Sequence, residues 1–364
     1  MNDQRMNTDT SLMSRLLIRT DTDRTVGTGH FMRMFALAQA WKDGGGEVLV
    51  VACDTMAALE ERFASEGIAV ECVAGPRGSL EEARTTLQRA RNWGAGAIAV
   101  DGPWFGSEYQ SELSREAVLL VVDDEGACAP YYADVIVNQN LHARSDMYEE
   151  RPDGAVILLG TRYALLRREF YQIAAGLSTR AQVRTVLVAL GGSDPADMTS
   201  KVVRSVLPVV PEDATMLVVA GPANLHVEDL MELAAASPRR VEVATAVFNM
   251  APLMRSADLA ISSGGTTVWE LAACGVPSVV GSIAPIEDRL LAGLTAEGLF
   301  APVGRFTHLD PVTLQSQVRS LADSEADRRQ MSAAGRRLVD GCGCSRVIDV
   351  VRERMARRRE PSNT

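Results

Sequence analysis

Histidine is scarce in this chain, four among 364 residues, so one placed beside a loop motif is informative. No apolar run reaches the roughly 18 residues that a membrane span needs, which excludes an integral helical membrane protein from the expectations. The opening "MNDQRMNTDTSLMS" (residues 1–14) lacks the apolar core of a secretory signal and reads as a loose tail. Basic residues are outnumbered 37 to 47, for a net charge of −10. That balance argues against a nucleic-acid partner, because a phosphate backbone is held by clustered Lys and Arg. The six cysteines are dispersed, with Cys53, Cys72 and Cys274 inside apolar segments and only Cys342 and Cys344 close together, as C-x-C. With no second ligand cluster beside that pair, the pattern predicts reduced thiols, a cytoplasmic location and no metal site.

What remains is a globular composition, 46% apolar and 23% charged, long enough for two domains. Short Val/Ile-rich runs alternate with amphipathic stretches. Strands are predicted at 15–20, 47–54, 68–73, 97–102, 117–124 and 134–139, with helices at 30–43, 55–66, 79–93 and 107–116. The rhythm restarts with strands at 183–190, 214–221, 241–245, 259–264 and 277–283. Continuous apolar strands separated by helices indicate parallel sheets covered on both faces. The reading is α/β: two Rossmann-like, doubly wound domains facing a cleft, one over 15–172 and one over 183–343. Residues 344–364 form a closing helix and tail expected to pack on the first domain. In such sheets ligands lie beyond the carboxyl ends of the strands, so function is expected in the loops that follow them.

Three of those loops carry glycine motifs. "RTDTDRTVGTGHFMRMFALAQAW" (19–41) runs from a strand through Gly27 and Gly29 to His30 at the mouth of a helix. A dinucleotide fingerprint fits poorly, since the third glycine position holds Met32 and the passage is too long for the tight turn required. No glycine run is followed by G-K-[ST], so a P-loop is excluded as well, and no cofactor is expected. In the second half, "LGGSDPADMT" (190–199) and "SSGGTTVWELAACGVPSVV" (262–280) each follow a strand and open a helix. Glycines followed by hydroxyl residues at a helix start present amide N–H groups to an anion, with the helix dipole in support. Gly191, Gly192 and Ser193 from one loop, with Ser263, Gly264, Gly265, Thr266 and Thr267 from the other, could hold a diphosphate together. Each hydroxyl could equally be a helix cap. Glu270, four residues after Thr266 and one turn into the helix, is placed to accept hydrogen bonds from two ribose hydroxyls or to serve as a dipole partner.

The stretch "GGTTVWELAACGVPSVV" resembles the nucleotide-binding signature of UDP-sugar enzymes with the GT-B fold. "IRTDTDRTVGTGHFMRMFALA", "VVDDEGACAPYYADVIVNQN", "LLGTRYALLRREF" and "VALGGSDP" resemble, in order and spacing, landmarks of the UDP-sugar hydrolases of pseudaminic acid biosynthesis, the PseG/SpsG group. The resemblance implies a GT-B-like architecture and metal-independent hydrolysis of a UDP-linked deoxy acetamido sugar. It places His30 on the general base, and the 191–194 loop, the 263–267 loop and Glu270 on the nucleotide site; Gly29, beside His30, is expected to contact substrate as well. Two positions depart from the group. Glu287 and Asp288 stand where Asn-Gln is usual, and Pro103 followed by Trp104 stands where an aromatic residue directly occupies the first of the two places. Both pairs are expected to contact substrate.

These residues suggest a division of labour. A nucleoside diphosphate is a good leaving group, so the protein must hold it, stabilise its growing charge and activate one water. His30, at the positive end of a helix dipole, is suited to take the water's proton as a neutral ring. Asp21 or Asp23 in the same loop could orient its other nitrogen. A GT-B glycosyltransferase, a UDP-sugar 2-epimerase or a non-enzymatic nucleotide-sugar binder would use the same nucleotide loops.

Overall fold

The computed structural model describes residues 15–22, 28–171, 179–192, 194–221, 223–245, 247–284, 287–289, 291 and 297–359. The tail at 1–14, Asp23 and Ser193 lie outside the described residues. The chain divides into two compact units: the first strand, His30–Arg168 and the segment from Cys342 onward form one, and Glu169–Gly341 the bulk of the other.

In the first unit the elements alternate as β1 (Arg15–Thr20), α1 (Gly29–Asp43), β2 (Glu47–Ala52), α2 (Ala57–Ser65), β3 (Ala69–Cys72), α3 (Leu80–Trp93), β4 (Ala97–Asp101), α4 (Ser107–Leu113), β5 (Val118–Val122), β6 (Val135–Asn138) and β7 (Val156–Leu159). All seven strands are parallel, in the order β3-β2-β1-β4-β5-β6-β7. Sequence order breaks between β1 and β4, where Ile18 is flanked by Val50 on one side and Ala99 on the other. Every residue of β4, β5 and β6 is buried, as a doubly covered sheet demands. Local chemistry sets the helix ends. Ser79 accepts the Glu82 amide at the start of α3, and Gly94, at φ 76°, closes it in a left-handed turn that glycine adopts without strain.

The second unit runs β8 (Thr185–Ala189), α5 (Met198–Val206), β9 (Thr215–Ala220), α6 (Val227–Ala236), β10 (Val241–Thr245), α7 (Ala251–Ser256), β11 (Leu259–Ser263), α8 (Thr267–Cys274), β12 (Ser278–Ser282), β13 (Ala301–Arg305), α9 (Pro311–Asp323) and α10 (Glu325–Leu338). Its six strands are again parallel, ordered β10-β9-β8-β11-β12-β13, so the break falls between β8 and β11. Arg328 is fully buried in α10 and donates to the carbonyls of Leu321, Ala322, Arg180 and Ala181, tying the end of α9 to the segment that enters β8.

The last helix, α11 (Gly343–Arg359), belongs to the first unit. It packs on β5, β6 and the turn at Thr161–Tyr163, burying Cys344, Val347, Ile348, Val351 and Met355. Gly343 is required at the closest approach, because a Cβ there would stand 2.2 Å from the Ala164 carbonyl oxygen. Two strands escape the sequence reading, β7 and β13, both at sheet edges. None of the six cysteines, all described, is in a disulfide, and among the described residues no helix is long and apolar enough to cross a membrane.

Candidate functional site

Each sheet offers a crevice where its strand order reverses, and the candidate residues gather at both. In the first unit the crevice lies beyond the carboxyl ends of β1 and β4. The residue that ends β4 is Asp101, fully buried, and the residue that opens α1 after β1 is followed at once by His30. Their side chains meet, with Nδ1 of His30 2.7 Å from Oδ1 of Asp101. One helical turn on, Arg33 grips the same carboxylate through Nε to Oδ2 at 2.5 Å and Nη2 to Oδ1 at 2.7 Å. Its remaining nitrogen, Nη1, donates to Oδ2 of Asp124 at 2.6 Å.

The charges in this cluster are mutually fixed. Burial alone pushes the Asp101 carboxyl up, but Arg33 and His30 beside it hold it below the usual carboxylate range. Burial likewise pulls the Arg33 guanidinium down, and the two aspartates more than reverse that. Asp101 is therefore an anion, an acceptor with no proton to give. An unprotonated Nδ1 would set two lone pairs 2.7 Å apart, so Nδ1 carries a proton, and whenever the ring is neutral Nε2 is its acceptor. An imidazole with an ionised carboxylate behind its Nδ1 can, when neutral, take a proton on Nε2, which is the chemistry of a general base.

The expectation for Asp21 is corrected here. Asp21 is fully buried and its Oδ1 accepts the amides of Cys53 and Asp54 at 2.6 and 3.0 Å, while Oδ2 pairs with Arg19 at 2.6 Å. Cys53 and Asp54 lie just beyond β2 and Arg19 lies in β1, so Asp21 anchors a buried Arg19–Glu82 pair rather than partnering His30. Asp101, 71 residues from His30 in sequence, takes that place. Asp123 is a turn anchor, accepting from the amides of Glu125, Gly126 and Cys128 and from Tyr131 Oη. Trp104 is half-buried with the Arg77 guanidinium 4.3 Å above its ring, and Pro103 is exposed. His142 is half-buried with Nε2 3.0 Å from the Asp124 carbonyl oxygen.

In the second unit the crevice lies beyond β8 and β11, and both glycine loops flank it. Gly191, at φ 105°, adopts a backbone conformation that favours glycine. Gly192 presses against Gly221 at the end of β9, where a Cβ would stand 2.5 Å from the Gly191 oxygen and from Gly192 itself. Gly221 thus shapes the first loop, although nothing in its local sequence marks it. The start of α5 is closed by Asp194, whose two oxygens accept the Met198 and Thr199 amides at 2.7 Å each. The second loop differs. Ser263 is buried at the end of β11, with Gly264 and Gly265 beyond it, and Thr266 occupies the N-cap of α8 without a capping bond from its side chain. Thr267 is the first residue of that helix and Glu270, half-buried, lies in its first turn.

Glu287 and Asp288 are already engaged. Glu287 Oε2 accepts the Ile283 amide at 2.6 Å, and its stem lies over the second loop, 3.0 Å from where a Cβ on Gly264 would stand. Burial pushes its carboxyl above the usual range against the opposing pull of the Ile283, Ala284 and Gly264 amides. Asp288 is bound by Arg305 and by the Ser282 hydroxyl, which hold its carboxyl below the usual range.

Comparison with known proteins adds the relatives. Residues 185–283 match the model of the "Glycosyltransferase family 28 C-terminal domain". The spore coat polysaccharide biosynthesis protein SpsG of Bacillus subtilis is 25% identical over 332 residues, covering 90% of this chain and 94% of that protein. A UDP-2,4-diacetamido-2,4,6-trideoxy-beta-L-altropyranose hydrolase of Campylobacter jejuni is 23% identical over 257 residues, 70% of this chain and 87% of that protein. An uncharacterized protein of Methanocaldococcus jannaschii, MJ1062, is 24% identical over 73% of this chain, which spans only 55% of its length. Among solved structures, the S. aureus MnaA–UDP co-structure superposes with a TM-score of 0.67 at 12% identity, over 97% of this chain and all of that one. The two parallel sheets and these neighbours give the chain the GT-B fold, and the family 28 C-terminal model is matched within its second unit.

Proposed function

We propose that this protein hydrolyses a UDP-linked, deoxy acetamido-type sugar to UDP and the free sugar. The observation that carries the reading is the His30–Asp101 hydrogen bond at the strand-order break of the first sheet, which leaves Nε2 available as a base. The names of the C. jejuni and B. subtilis relatives, a UDP-sugar hydrolase and a polysaccharide biosynthesis protein, point the same way.

In this reading the second unit binds the nucleotide. Backbone amides of the Gly191–Gly192 and Ser263–Thr267 loops hold the diphosphate, and Glu270 accepts from the ribose hydroxyls. The first unit supplies the base, with Gly29 giving the substrate close access to the start of α1 and Trp104 facing the sugar. Water attacks the anomeric carbon as the bond from that carbon to the phosphate oxygen breaks. The water's proton passes to Nε2 of His30, and UDP leaves with the electron pair of the broken bond. Hydrogen-bond donors aimed at the growing phosphate charge stabilise the transition state more than the ground state.

A glycosyltransferase reading is favoured by one observation, the family 28 match over 185–283. It uses the same nucleotide site and differs in what attacks the sugar. Incubation with a panel of UDP- and CMP-sugars in water, followed by NMR of free nucleotide and sugar, separates the two. Stoichiometric free sugar from wild type, lost in His30→Asn, supports hydrolysis. Turnover that needs an added acceptor overturns it.

A further inference from the structure

Arg33 is fixed more firmly than a residue that merely balances charge. Its side chain is 4% exposed, and its three guanidinium nitrogens reach two carboxylates on neighbouring strands: Asp101 at the end of β4 and Asp124 just beyond β5. Asp124 is held in turn, its Oδ1 accepting from Asn140 Nδ2 at 2.7 Å, while Asn138 Nδ2 donates to its carbonyl at 2.9 Å. The chain of contacts continues through Tyr148, which accepts from Asn138 and donates to the Asp123 carbonyl. The loops after β4, β5 and β6 are thus wired to one side chain on α1.

The geometry around Asp101 Oδ1 gives this wiring a consequence. Two donors converge on that oxygen, Nδ1 of His30 and Nη2 of Arg33, each at 2.7 Å, and they stand 3.0 Å from one another. The carboxylate, held from behind by the fork, cannot rotate its Oδ1 away from the ring without breaking a bidentate pair, the strongest geometry open to it. The guanidinium carries only donors, so it cannot accept from Nδ1–H; its Nη2 could donate only to an unprotonated Nδ1, whose lone pair would then face that of Asp101 Oδ1 at 2.7 Å, the shorter of the two contacts.

We infer that Arg33 is a positioning residue: by locking Asp101 against His30 and anchoring to Asp124, it selects the Nδ1–H tautomer and so keeps Nε2 of His30 a base. The inference rests on the reading of His30 as that base, but the tautomer can be measured without turnover.

The scarcity of histidine makes the measurement direct. Long-range 1H–15N correlation spectra of the full chain, labelled at histidine and recorded at mildly alkaline pH, contain four imidazole patterns, and His30→Asn identifies one by its loss. Wild type is expected to show the Nδ1–H pattern for His30. Arg33→Met is expected to turn it into a mixture of tautomers and to lower kcat for UDP-sugar hydrolysis at least about tenfold, with KM changed less than about twofold. Should Arg33→Met fail to fold, Arg33→Lys keeps the charge but has a single nitrogen that cannot span both aspartates, and the same shift to a mixture is expected. An unchanged His30 pattern in either folded variant, or an Nε2–H pattern in wild type, overturns the inference. If the tautomer shifts as expected but wild type hydrolyses no UDP-sugar, the hydrolase reading fails and the role of Arg33 in setting the ring stands.

Discussion

Replacing Asp101 by asparagine removes the charge with little change in shape, and the surrounding contacts set what that does. The carboxylate accepts three hydrogen bonds, from His30 Nδ1 and from Arg33 Nε and Nη2. An amide offers one oxygen and turns its NH2 group toward donors. If the oxygen stays on Arg33, the ring loses its acceptor; if it stays on His30, the guanidinium faces a second donor. Hydrogen bonds to charged groups contribute about 1.5–3 kcal/mol each, and breaking one side of a buried ion pair costs about 3–5 kcal/mol. Asp124 still neutralises part of Arg33, so the expected loss of stability is about 3 kcal/mol. Urea unfolding followed by tryptophan fluorescence reads it, since Trp41, Trp93 and Trp104 lie in the first unit and only Trp269 in the second. The pH dependence has a definite sign. The folded-state pKa of Asp101 is depressed, so its stabilisation is full above the unfolded value of about 3.9 and is lost as pH falls through the lower folded value. Wild type and Asp101→Asn are expected to differ fully at pH 7 and to converge only in acid below about pH 4. Loss of tautomer control of this kind lowers kcat on the order of 10⁴-fold. A folded variant within about 1 kcal/mol of wild type at neutral pH and with near-normal turnover refutes the reasoning.

Three further perturbations test the proposed site. His30→Asn, which keeps size and polarity, is expected to bind UDP-sugar nearly normally yet turn it over at least about a hundredfold more slowly, because the proton moves only in the transition state; near-normal kcat would reduce His30 to a helix-end residue. Glu270→Ala is expected to weaken UDP binding by about 1–3 kcal/mol in calorimetry, with the fold intact, and unchanged affinity would remove the ribose assignment. Glu287→Asn combined with Asp288→Gln is expected to change the ranking of substrates in the UDP-sugar panel and, by freeing Arg305 from its carboxylate, to favour more anionic sugars. Identical rankings would leave the two carboxylates as structural residues of the second unit.

The elements that local patterning reveals are those whose residues answer to their nearest neighbours in the chain. The buried strand β5 is an unbroken apolar run, β4 and β11 are apolar up to Asp101 and Ser262, and all three stand out as such. Strand β13 does not, because Pro302 and Gly304, the latter at φ 73°, disrupt the pattern and are tolerated only at the sheet edge it occupies. Strand β7, also an edge, is only partly buried. The same limit governs the site. His30 is conspicuous in its glycine loop, but its partner is set by topology: the crossover that places β4 beside β1 brings Asp101 to the ring, whereas Asp21, nine residues away, turns to β2. In the 190–199 loop the hydroxyl Ser193 and the carboxylate Asp194 are both cap-forming types, and only the fold shows Asp194 bonded to α5.

The return of α11 to the first unit makes that unit discontinuous along the chain, with consequences for its birth on the ribosome. Its sheet is complete in sequence by Leu159, yet the helix that covers β5 and β6 begins only at Gly343. Synthesis proceeds at about 5–20 residues per second, so the intervening stretch takes on the order of ten seconds to emerge. Throughout that wait the apolar surface destined for Val347, Ile348, Val351 and Met355 has no cover of its own. The bulk of the second unit is contiguous from Glu169 to Gly341 and is free to fold as soon as it is made, before its elder neighbour can finish. The helix Gly343–Arg359, made after the second unit, is therefore what completes the half that was made first.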